Sequence, residues 1–127
     1  MPSVGYDVMV TLPTDRPGTL ATAATAIAEA GVNLDGAAEI EGQFHVLFAD
    51  RDRATSAHMA LEAAGFDCLA PLEVTVTECE DQPGALARVL GLVADAGINV
   101  RFCYPATGAR VVIGGGRTAD VMAALSA

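Results

Sequence analysis

The chain has 127 residues, 52% of them hydrophobic and 18% charged, which excludes a disordered acidic tail and suffices for one ordinary domain or two very small ones that must pack together. Its net charge is −9 and its seven basic residues are scattered arginines, so it repels phosphate backbones and lipid head groups, and neither nucleic acid nor a membrane is an expected partner. No apolar run approaches the roughly 20 residues that span a bilayer, no basic leader precedes a hydrophobic stretch, and Cys68, Cys79 and Cys103 form an odd, unpaired set, so a reduced cytoplasmic setting without disulfide or zinc site is expected.

In chain order, Tyr6, Val8 and Val10 alternate with Asp7, Met9 and Thr11, the period of a strand with one dry and one wet face. Pro17 suits the first helical position, where a missing N–H goes unnoticed, so a helix is expected to begin there. Leu20, Ala23, Ala24, Ile27 and Ala28 give that helix one apolar stripe, and Gly31 supplies its stop. Residues 32–40 and 43–49 read as two strands joined near Gly42, residues 53–64 as a second helix ending at Gly65, and residues 66–69 as a short fourth strand before Pro71.

The pattern then returns. Asp15, Pro17, Gly18 and Leu20 recur 66 positions later as Asp81, Pro83, Gly84 and Leu86. Ala30, Gly31, Val32 and Asn33 recur as Ala96, Gly97, Ile98 and Asn99, and Val46 and Leu47 as Val112 and Ile113. Leu72, Val74 and Val76 alternate with Glu73, Thr75 and Thr77; Pro83 opens a helix with the stripe Leu86, Val89, Leu90, Val93 and Ala94; strands are expected over 98–105 and 109–114, and a last helix over 118–126. Strand, helix, strand, strand, helix, strand is the split βαβ order, with both helices on one face of an antiparallel sheet. The second copy lacks a fourth strand, so the edge of its first strand needs cover, from a neighbouring subunit or from the segment between the copies.

Asp15, Arg16, Pro17, Gly18, Thr19 and Leu20, followed by Gly31, Val32, Asn33 and Leu34, resemble the signature of the ACT domain family, a regulatory ferredoxin-like module. Asp81, Gln82, Pro83, Gly84, Ala85 and Leu86, followed by Gly97, Ile98, Asn99 and Val100, repeat it. The resemblance implies an α+β fold of two ferredoxin-like (βαββαβ) ACT modules in tandem, residues 1–70 and 71–127. It further implies a non-enzymatic sensor without cofactor or metal that binds a free amino acid, as a homodimer or through an unidentified protein partner. Such modules bind amino acids where the loop into the first helix faces the second strand of a neighbouring module. Carried over, this points to Asp15, Arg16, Gly18, Thr19, Leu20 and Asn33, and to Asp81, Gln82, Gly84, Ala85, Leu86 and Asn99. Some sensing members place a histidine and an asparagine ahead of the Pro-Gly; here those positions hold Pro13 and Asp15, then Cys79 and Asp81.

The chemistry is direct. Unpaired N–H groups and a partial positive charge at a helix start accept a carboxylate near Gly18 or Gly84, an aspartate accepts the ammonium, and Asn33 and Asn99 each add a donor and an acceptor. The plainer alternative makes Asp15 and Asp81 helix caps, and Asn33 and Asn99 turn residues. Other features carry competing functions. Gly114, Gly115, Gly116, Arg117 and Thr118 invite a small enzyme acting on an anionic substrate, although the P-loop lysine is missing and a tight turn accounts for the glycines; a structural pairing module with vestigial sites is a third reading. Cys79 sits ahead of a helix start, but Glu78, Glu80 and Asp81 oppose a thiolate. His45 and His58 belong to no metal or triad spacing and read as structural, and the pairs Glu39, Glu41 and Glu78, Glu80 read as solvated.

Overall fold

A computed structural model describes residues 1–126. The fold is α+β, with antiparallel strands and helices alternating along the chain, and the backbone divides into two compact units. One comprises residues 6–72; the other joins residues 1–5 to residue 73 onward.

The first unit holds strands β1 (Ser3–Thr11), β2 (Gly36–Ile40), β3 (Gln43–Phe48) and β4 (Asp67–Cys68), with helices α1 (Thr19–Glu29) and α2 (Arg51–Ala63). Its strand order is β2-β3-β1-β4. Val8, Val10, Leu12, Phe44, Val46 and Phe48 from the sheet bury against Ala23 and Ile27 of α1 and Ala54, Ala57 and Leu61 of α2. The β2–β3 hairpin turns through Glu41 and Gly42, both at positive φ, the two-residue geometry that matches strand twist. Helix α2 opens on Asp50, whose carboxylate accepts the Arg53 N–H at 2.8 Å. Asp50→Ala is expected to cost about 1 kcal/mol, checked as a lowered urea midpoint.

The second unit holds β5 (Leu72–Glu78), β6 (Phe102–Ala106), β7 (Arg110–Gly114), α3 (Ala85–Asp95) and α4 (Thr118–Leu125). Strands β5, β7 and β6 pair in that order, and β1, whose first residues belong to this unit, takes the other side of β5. The sequence assigned that edge to a neighbouring subunit or to the segment between the copies. The neighbour there is β1, of which residues 3–5 belong to this unit.

The two copies do not superimpose at a constant offset. Leu12 N–H donates to the Gly42 carbonyl at 2.7 Å, and the matching bond in the second copy runs from Cys79 to Ala109 at 2.8 Å, an offset of 67 rather than 66. The hairpin explains half of the shift, since Ile40 pairs with Gln43 across two turn residues whereas Ala106 pairs with Arg110 across three. The first loop explains the rest: Leu12 lies six positions before Gly18, and Cys79 only five before Gly84. Structural counterparts on the strands are therefore Val8 and Thr75, Val10 and Thr77, Val46 and Ile113.

A slip of one residue turns every strand side chain over. Thr75 and Thr77 stand opposite Ile113 and Val111, which pack on Val89, Val93 and Val121 of the helices. Val74, Val76, Val112 and Tyr104 occupy the other face and are buried as well. The expected wet face is thus absent in the second copy. In the first copy it is partial: Asp7 is only 2% exposed and sits 3.0 Å from His45 Nδ1, while Thr11 and Gln43 reach solvent.

Candidate functional site

Both helix starts expected to hold a ligand have one geometry. Helix α1 begins at Thr19 and α3 at Ala85, two residues later than the prolines suggest, because Gly18 and Gly84 are the N-cap residues and adopt φ of 94° and 87°. A residue with a Cβ is strained at that angle, so the glycine stops the helix from extending back to Pro17 or Pro83. Their carbonyls accept the first helical bonds, from Thr22 and Arg88 at 3.0 Å.

Neither start carries a side-chain cap or an acidic residue in its first turn. Asp15 and Asp81 are exposed and do not cap; the Asp15 carboxylate instead lies 3.7 Å from the Arg16 guanidinium. Nothing lies within 4 Å of a Cβ built on Gly18 or Gly84, so the space a side chain would take at each glycine is empty. Leu20 and Leu86, large apolar residues one position into each helix, are also exposed. Thr19 Oγ1 donates to the Pro13 carbonyl at 2.9 Å, and Gln82 Nε2 to Glu80 at 2.9 Å, which tie the two loops down.

Asn33 and Asn99 are exposed but follow the far ends of α1 and α3. Eleven residues of helix, about 16 Å, separate each from the glycine of its own copy. Within one unit the structure does not bring the asparagine and the loop together.

Beside the second loop a cleft of about 400 Å³, the size of a small-molecule site, is lined in part by Thr77, Glu78, Glu80, Arg88 and Leu92. Of the residues proposed from sequence only Ala85 lines it. The chain's terminal ammonium reaches in and contacts Glu78 at 3.1 Å. Cys79 also lines it, yet replaces Leu12 structurally and packs on the helix-side core rather than capping α3.

The glycine run has a packing explanation. A Cβ on Gly114 would fall 2.1 Å from the Phe102 ring, one on Gly115 2.5 Å from the Asn99 carbonyl oxygen, and one on Gly116 2.7 Å from Ile98. Arg117 is 84% exposed at its side chain and faces Asp120 at 4.0 Å, and Thr118 donates to Glu73.

One constellation was invisible in the sequence. His58 Nδ1 lies 3.3 Å from Cys68 Sγ, and His58 Nε2 lies 3.2 Å from Glu62 Oε1. The i, i+4 spacing of His58 and Glu62 on α2 was readable; the arrival of Cys68 from β4 was not, because it depends on how β4 docks beside β1. Burial foremost, then the charges of Glu62 and Asp67, pushes the Cys68 thiol up, and burial followed by Cys79 does the same for Cys103. No group of three or more metal-ligating side chains occurs among the described residues.

Residues 74–102 match the family model of the ACT domain. In backbone the whole chain is similar to the regulatory subunit of aspartate kinase from Thermus thermophilus, in its ligand-free form, with a TM-score of 0.73 at 18% identity over 98% of this chain and 93% of that one. The regulatory subunit of aspartate kinase from Thermus flavus gives 0.72 at 17% identity over 98% and 94%, and a protein from Bacteroides thetaiotaomicron gives 0.67 at 23% identity over 99% and 88%. No curated protein matches the sequence.

Proposed function

We propose that the chain is a tandem ACT protein, a non-enzymatic sensor that binds a free amino acid at the starts of α1 and α3 and signals through its own assembly, as a homodimer, or through a partner protein. The observation that carries this reading is the pair of glycine-capped helix starts, uncapped by any side chain and with empty space where each glycine would carry a Cβ. A carboxylate there meets the N–H groups of the first turn that lack an intrahelical partner, Ala85 excepted because its N–H donates to the Gln82 carbonyl at 3.2 Å, and the positive end of the helix; Asp15 or Asp81, not engaged in capping, accepts the ammonium. The ACT match and the likeness to regulatory subunits support the regulatory role.

Because Asn33 and Asn99 lie a helix length from the loop of their own copy, their part requires a facing module, as the family resemblance implies. Binding must then favour one assembly state, since a ligand with equal affinity for two states shifts neither. The loop lengths differ by one residue between the copies, so the two sites are expected to differ in affinity or in ligand.

Isothermal titration against the twenty amino acids, paired with thermal shift, tests this. At least one is expected to give saturable heat and a raised melting temperature. Asp15→Ala with Asp81→Ala is expected to weaken it about 10- to 100-fold, the worth of a charged hydrogen bond. Twenty silent titrations would leave a structural pairing module as the better account.

A further inference from the structure

We infer that Cys68, His58 and Glu62 form a reactive-thiol site in the first unit, a modification site for small hydroperoxides that is independent of amino-acid binding. The geometry follows the logic of an activated nucleophile, in which thiol and base lie within hydrogen-bond reach and a third group orients the base. Both ring nitrogens of His58 are engaged, Nε2 with the Glu62 carboxylate at 3.2 Å and Nδ1 with Cys68 Sγ at 3.3 Å. A carboxylate can only accept, so Glu62 holds the proton on Nε2 and leaves Nδ1 as a base aimed at the thiol.

The setting accounts for why a base is needed. Burial and neighbouring carboxylates keep Cys68 a thiol, so little free thiolate is present to react by itself. In the reaction the S–H proton passes to His58 Nδ1 as sulfur attacks one peroxide oxygen. The O–O bond breaks, the departing hydroxide or alkoxide takes the proton from the imidazolium and leaves as water or alcohol, and sulfur becomes a sulfenic acid. Cysteine is oxidised, the hydroperoxide is reduced, and no further reactant is required. Cys79 and Cys103 belong to the other unit, whose sequence contains no histidine, so they serve as internal references.

Glu62 is a positioning residue, and its role can be separated from that of its charge. As a negative charge alone it suppresses the thiolate, so Glu62→Ala would speed oxidation; as the group that orients His58, its removal slows it. The side chain is 57% exposed, so the variant is expected to fold.

The experiment treats the full-length chain with limiting hydrogen peroxide, traps sulfenic acid with dimedone, and follows each cysteine by peptide mass spectrometry, with the urea-unfolded chain as reference. The adduct is expected chiefly on Cys68, with the rate falling at least tenfold in His58→Gln and severalfold in Glu62→Ala. A Cys68 rate no greater than that of Cys103, or a rate unchanged in His58→Gln and raised in Glu62→Ala, overturns the proposal. Should His58→Gln fail to fold, the sign of the Glu62→Ala effect decides.

Discussion

Gly115→Ala is expected to lower the stability of the chain by roughly 3 kcal/mol or more, the sum of a strained backbone angle and a steric overlap with no outlet. Gly115 adopts φ of 125°, and an added Cβ would lie 2.5 Å from the Asn99 carbonyl oxygen and 2.9 Å from the Arg101 nitrogen. Both are backbone atoms, fixed further by the Arg101 N–H bond to the Gly114 carbonyl at 2.8 Å, so no side-chain rotation relieves the clash. Gly18→Ala makes the comparison: φ is 94° but nothing lies within 4 Å, so only the strain of about 1–2 kcal/mol is expected. Urea unfolding of the two variants checks the difference. A Gly115→Ala chain as stable as the Gly18→Ala chain would mean that the glycine run is a loose loop, and the reading of it as an anion-handling element would regain ground.

The contrast between these glycines shows what was legible in the sequence. The duplicated Asp, Pro, Gly, Leu spacing located both strand-to-helix loops, both helices and both hairpins to within a few residues, because those features depend on local backbone chemistry. The starts of α1 and α3 were set two residues early because proline tolerates the first helical position; the left-handed angles at Gly18 and Gly84 override that preference. Features that depend on register were not legible. A 66-residue offset aligns the motifs, and nothing in that alignment reveals that β5 and β7 follow β1 and β3 at an offset of 67. For the same reason the sequence places Cys79 ahead of a helix without showing that it follows β5 and packs on the helix-side core, and it does not show that Cys68 arrives beside His58. Within the candidate site, the helix expected between Pro17 and Gly31 already puts Asn33 a helix length from its loop, and likewise Asn99; what the sequence does not show is a facing module, since that depends on assembly.

The register difference itself predicts opposite outcomes for two exchanges at equivalent positions. Val8→Thr is expected to destabilise the chain by about 1–3 kcal/mol, because Val8 is fully buried on the helix side of its sheet and a hydroxyl there loses water without gaining a partner. Thr75→Val is expected to stabilise it by about 1 kcal/mol, because Thr75 holds the same place in the second copy, is 1% exposed, and its Oγ1 makes no hydrogen bond among the described residues. Valine matches threonine in shape, so the exchange removes the stranded hydroxyl without opening a cavity. Urea midpoints at constant slope check both exchanges: a clear rise for Thr75→Val and a fall for Val8→Thr are expected, and an unchanged or lowered midpoint for Thr75→Val contradicts the reading of its hydroxyl as stranded.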